Sequence, residues 1–172
     1  PPVGTLRFAP AQLTAGVRLL MNPVVSVTAR ELQEDQSARL WALVMHLAEH
    51  PQDQHLPDFR PFWLAYIFDA QVNNGGHLQY FHNCGSDNAS ETISALILIG
   101  AKEHANLLAS CLEKVKAAPI KKVESLHDYP QLAAERSFKV EDSAYYSQKS
   151  TVLELLEKHY QALLLACVQV RS

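Results

Sequence analysis

The sequence predicts an all-α fold: a single compact multi-helix domain preceded by an irregular N-terminal arm. Apolar residues recur at three- and four-residue steps through most of the chain. Capping residues and Gly or Pro stops punctuate those runs, and no stretch alternates polar and apolar residues for long enough to build a sheet. At 172 residues the chain is close to the usual size of one domain and can bury about 70% of its unfolded surface. No linker long enough to divide two domains is visible. The expected division is an arm over residues 1–27 and a helical domain over residues 28–172.

Residues 1–27 hold four prolines and no sustained helical period beyond a short run from Pro10 to Met21, which Asn22-Pro23 would end. Val24-Val25-Ser26-Val27 prefers an extended backbone, but one four-residue strand without a partner cannot make a sheet. Thr28 with Glu31 reads as a capping box, in which the hydroxyl accepts a backbone N–H and the carboxylate reaches back. One helix is expected from there to His50, with Leu32, Leu40, Leu43, Val44 and Leu47 at helical spacing and Pro51 closing the run. Pro57 and Pro61 mark a turn region.

After Pro61, Phe62, Ala65, Tyr66, Asp69 and Val72 fall near one another on a second helix. Asn74-Gly75-Gly76 stops it, because glycine tolerates positive φ. In this reading Asn74 takes a left-handed cap and the two glycines reverse the chain. Tyr80 and Phe81 then enter the core, while Gln79 or Asn83 bonds exposed backbone. A short helix from His77 to Asn83 ends at Gly85. Asn88 with Glu91 forms a second capping-box-like pair, followed by Ile93, Leu96, Ile97 and Gly100 at amphipathic spacing. Leu108, Cys111, Leu112 and Val115 share a face of a helix over 102–117 that Pro119 ends. Residues 118–147 are less regular. Val152, Leu155, Leu156, Tyr160, Leu163, Leu164 and Cys167 trace a long C-terminal helix.

Composition excludes several classes. Apolar residues make up 48% and charged residues 19%, a globular balance that excludes a long disordered or fibrous chain. The longest apolar runs, such as Ala95 to Ile99, are about a quarter of the roughly 20 residues that cross a bilayer, so no membrane span is expected, and no secretory signal is visible at the start. Cys84, Cys111 and Cys167 are widely separated and form no Cys-x-x-Cys pair, which points to buried free thiols in a reducing cytoplasm. Net charge is −3, unevenly spread. Over residues 40–101, Arg60 stands alone against Glu49, Asp53, Asp58, Asp69, Asp87 and Glu91, a sum of −5. That region has no basic cluster to neutralise phosphates, so direct nucleic-acid binding is not expected.

No catalytic motif emerges. His77 and His82 are five apart and share no helix face, and His46 and His50 lack the glutamate of the metalloprotease pattern. No metal or cofactor is expected. Cys84 beside His82, and Asp69 with Asp87, could serve nucleophilic or acid–base chemistry only if the fold brought them together. No Gly-rich phosphate loop or serine elbow is present. Phe59, Phe62, Trp63, Tyr66 and Phe68 read as core.

The segment VNNGGHLQYFHNCG, then Glu91, then ALILIGA closely resembles the central motif of the bacterial DNA-mimic protein 19-like family. The matching residues are Val72, Asn74, Gly75, Gly76, Gln79, Tyr80, Phe81, Asn83, Gly85, Glu91, Ala95, Leu96, Ile99, Gly100 and Ala101. The resemblance implies an all-helical domain, a capacity to form homodimers, and an acidic protein that imitates DNA as a decoy for a helix-turn-helix transcription regulator. On this reading the chain is a non-enzymatic interaction domain. Asp58, Asp69, Asp87 and Glu91 meet a basic partner, and Asn74, Gly75, Gly76, Gln79 and Asn83 shape the loop. Two alternatives stay open: a small-molecule- or metal-dependent enzyme with its site around Asn74, His77, His82 and Asp69, and a structural oligomerisation domain.

Overall fold

Thr28 opens the first helix as its sequence requires: its hydroxyl accepts the Glu31 N–H at 3.1 Å while the Glu31 carboxylate takes the Thr28 N–H at 2.6 Å. The computed structural model describes residues 25–120 and 137–171. Residues 1–24, with the expected Pro10–Met21 run, lie outside the described residues, as does much of the irregular stretch after Ile120.

The single helix expected up to His50 is two. Helix α1 spans Ala29–Glu34 and α2 spans Ala38–Glu49. Asp35 leaves helical geometry at φ −142° and ψ 115°, and its carboxylate accepts the Ser37 N–H at 2.8 Å. This local Asx turn competes with helix continuation without needing Gly or Pro. A 3-10 turn at Asp53–His55 leads to α3, Arg60–Cys84, with Pro61 in its first turn. Then follow α4, Ala89–Leu98, and α5, Lys102–Ala117. Helix α6, Lys139–Tyr146, forms inside the stretch read as irregular, and α7 spans Val152–Cys167 behind a Thr151/Glu154 capping box.

The fold is helical, with one addition. Strand β1, Val25–Thr28, pairs in parallel with β2, Val168–Arg171, in the register Val25↔Val168 to Thr28↔Arg171. The extended preference of Val25–Val27 finds its partner at the far end of the sequence. Helix α7 runs directly into β2, so docking α7 delivers the second strand, and Val27 and Val168 bury one face of the pair.

Helix α3 packs on both α4 and α7, α4 on α5, and α5 on α6. The core between them is filled by Leu40, Leu43 and Leu47 of α2, Phe62 and Phe68 of α3, Leu96, Leu108 and Leu156, each fully buried. Phe62 meets Tyr160 of α7 edge-on at 5.3 Å, an arrangement worth about 0.5–1.5 kcal/mol beyond its area. Helix α3 thus meets α4, α6 and α7, and the break within it lies among them.

Candidate functional site

The helical path of α3 fails at Gly75 and Gly76, as the sequence led one to expect. Gly75 is extended at φ −165°, and Gly76 sits at φ 72° and ψ −175°, a region that only glycine occupies at low cost. Asn74 does not take a left-handed cap: among the described residues only glycines have positive φ, and Gly76 absorbs the reversal. The side-chain amides also act differently from expectation. Gln79 and Asn83, on the second arm of α3, donate to Gln71 Oε1 on the first arm at 3.2 and 2.7 Å, bridging the break instead of bonding backbone. Tyr80 and Phe81 enter the core, and the Tyr80 hydroxyl donates to Thr92 at 3.1 Å.

The second arm begins at His77 with exposed backbone donors that need a cap. Asp142 of α6 supplies it. Its Oδ1 accepts the His77 N–H at 2.9 Å and lies 2.7 Å from His77 Nδ1. The His77 ring is fully buried among Phe68, Phe138 and Tyr145, and its Nε2 has no hydrogen-bond partner among the described residues. Burial lowers the His77 pKa against the upward pull of Asp142 and Glu141. Beside it, the Tyr145 hydroxyl donates to Asp69, and Asn73 donates to the Asp69 carbonyl at 2.9 Å. Burial pushes the Asp69 carboxyl above its ordinary range, although Tyr145 and Asn73 favour the charged form. Burial likewise raises Tyr145 and lowers His104. Glu141 opposes its own desolvation by accepting from Lys114 and Ser110, and its pKa falls. A polar interior is thus assembled from α3, α5 and α6, against the apolar core.

The four acids singled out from sequence do not behave alike. Asp69 is buried and turned inward to Tyr145, so it is not part of an outer acidic surface; its place on the packed face of α3 overrides its charge. Asp58, Asp87 and Glu91 are exposed. Arg60 gathers two of the elements that carry them, donating from Nη2 to Glu91 at 2.8 Å and to Asn88 at 3.0 Å. The Asn88/Glu91 pair expected to cap α4 is engaged in this clamp, and Asn88 makes no side-chain cap bond. Asp58 lies just before Arg60 and Asp87 just before Asn88, so all three carboxylates flank the joined beginnings of α3 and α4.

The other residues considered from sequence are dispersed. His46 faces Asp53 at 2.8 Å and stacks on His50. His82 is half-buried, and Cys84 is half-buried with its thiol pKa raised by desolvation. Among the described residues no three His, Cys, Asp or Glu side chains converge as metal ligands, and no helix is long and apolar enough to cross a membrane. Asn73, His104, Asp142 and Tyr145 were not distinguished by sequence. The one local signal was the Glu141-Asp142 acid pair in the first turn of a short helix.

A family model described as DMP19-like protein matches residues 53–163. The chain belongs to the DMP19-like family. The region shared with DMP19-like proteins runs from the 3-10 turn into α7 and contains the glycine break, the polar interior and the Arg60 clamp. It leaves out β1, α1, α2 and β2. No curated protein and no solved structure gave a match.

Proposed function

We propose that this DMP19-like chain is a non-enzymatic protein-interaction domain of the DNA-mimic kind, which presents carboxylates to the Lys and Arg side chains of a DNA-binding partner, such as a helix-turn-helix regulator. The observation that carries the reading is the Arg60 clamp. It ties Glu91 and Asn88 to the first turn of α3, next in sequence to Asp58 and Asp87, which supports reading these carboxylates as one acidic surface. Arg60 is the sole Lys or Arg of residues 40–101. Fixed carboxylates meet a basic surface without the entropy cost of first ordering them. Asp69 belongs to the interior and is not part of this surface. No disulfide joins Cys84, Cys111 and Cys167, which supports a reducing compartment, and self-association into a homodimer is compatible with the same surface.

The test is retention of DNA-binding proteins from native lysate on the immobilised chain. A partner held at low salt, released by rising salt and by duplex DNA, and lost from the Asp58→Asn/Asp87→Asn/Glu91→Gln variant is the expected result. Retention undiminished in that folded variant rules out the electrostatic surface. Saturable protein capture that duplex DNA does not compete for rules out mimicry.

A further inference from the structure

A cavity of about 100 Å³ opens between the first arm of α3, α5 and α6, with Asp69, Asn73, His104, Tyr145 and Tyr146 in its walls and exposed Ser150 at its edge. Three of the wall residues are ionisable and more than nine-tenths buried: Asp69 is 8% exposed, Tyr145 6% and His104 4%. Asp69 engages Oδ1 with the Tyr145 hydroxyl, while Oδ2 takes no hydrogen bond from the described residues. Among the described residues neither ring nitrogen of His104 has one; its ring contacts Tyr145 edge-on at 5.0 Å. Asn73 directs its NH₂ to the Asp69 carbonyl and the Tyr145 hydroxyl, which leaves its Oδ1 as a further acceptor. Among the described residues no Lys or Arg lines the cavity.

Asp69 Oδ2, the His104 ring nitrogens and Asn73 Oδ1 take no bond from the described residues, and a carboxylate in so small a cavity is stabilised by a nearby cation. A ligand that complements them brings several donors and a positive charge. We propose that this cavity binds a primary ammonium group. Its three N–H donors meet Asp69 Oδ2, Asn73 Oδ1 and a His104 ring nitrogen, and the tyrosine rings form an aromatic wall suited to a cation. The space admits a short alkyl chain behind the nitrogen and little more. Two sources share this chemistry: a free small amine, and a lysine side chain of a partner protein.

Affinity has a defined pH sense. The titratable groups facing Asp69 are Tyr66 on its own helix, Tyr145 and Tyr146 from α6, and His104 from α5, with His77 beyond His104. At neutral pH none of them is cationic. Acid both protonates Asp69 and charges His104, so both changes expel the cation and affinity falls with falling pH. Asp69 is nine residues beyond Arg60 on α3, about 13 Å along the axis, so this site does not depend on the acidic end.

Calorimetric titration of the full chain with ethylammonium tests the proposal, with acetate and ethanol as charge and size controls and N-acetyl-lysine methylamide as the lysine mimic. The expected result is saturable binding of ethylammonium and not of the controls. Asp69→Asn weakens it about ten- to hundredfold, the worth of a hydrogen bond to a charged group. Ser150→Tyr, which keeps Asp69 and narrows the mouth, weakens it as well. Equal binding of the lysine mimic assigns the source to a partner's lysine, and binding of ethylammonium alone assigns it to a free amine. No saturable ethylammonium binding to the wild-type chain, or unchanged binding by folded Asp69→Asn, overturns the proposal.

Discussion

Replacing Gly76 by alanine separates two costs that the structure sets at one position. The backbone there has φ 72° and ψ −175°, and a side chain in that region is strained by about 1–3 kcal/mol. The added Cβ would also lie 2.7 Å from Asp142 Oδ2 and 2.9 Å from Oδ1, too close for either atom to stay. Asp142 must withdraw from the His77 N–H and ring, and a hydrogen bond to a charged group is worth about 1.5–3 kcal/mol. Gly76→Ala should therefore cost about 3–6 kcal/mol in all. Gly85 provides the control: it has nearly the same backbone, φ 68° and ψ −166°, and an added Cβ there meets nothing within 4 Å. Gly85→Ala should cost only the backbone part, about 1–3 kcal/mol. Urea denaturation followed by far-UV circular dichroism, with equal m-values, gives both numbers. If the two variants lose the same stability, the Asp142 cap contributes nothing and the account of the break is wrong.

Arg60→Ala should cost no more than about 1 kcal/mol of stability, since Glu91 in the clamp is half exposed and such pairs are weak; a loss several times larger, read from urea midpoints, would show that the clamp holds the fold and does not merely arrange its surface. Stability should also fall as pH drops below about 6.5, because burial lowers the pKa of His77 and His104 in the folded state. The unfolded chain then binds more protons than the folded one. Asp69, raised by burial, acts in the opposite sense, so urea midpoints of the Asp69→Asn variant at pH 7.5 and 5.5 isolate the histidines. A midpoint of that variant unchanged between them would refute the assignment.

Local signals in the sequence carried the helices and failed where partners are remote. The Thr28/Glu31 box, the glycine break and the long apolar faces of α5 and α7 are each written within a few residues, and each is found. The Asx turn at Asp35 is equally local but lacks Gly or Pro, and it divides a run whose apolar spacing reads as continuous. The pairing of β1 with β2, the Asp142 cap on His77 and the Tyr145 bond to Asp69 join residues far apart in sequence, and no periodicity announces them. Asp69 misled in a specific way. Its charge suggested the surface, whereas its spacing with Phe62, Ala65 and Val72 on α3 already placed it on the buried face.

The parallel pair has a consequence for how the chain closes on itself. Val25 and Val168 stand 143 positions apart, and bringing together two points so separated on a flexible chain costs roughly 4.4 kcal/mol before any constant term, from (3/2)RT ln n. A ladder of four-residue strands, at about 1 kcal/mol per hydrogen bond, cannot meet that cost alone. The docking of α7 against α2 and α3 has to bring the strand ends into proximity first. The little sheet is thus a latch that engages only when the helices are already in place, and its integrity reports on their packing.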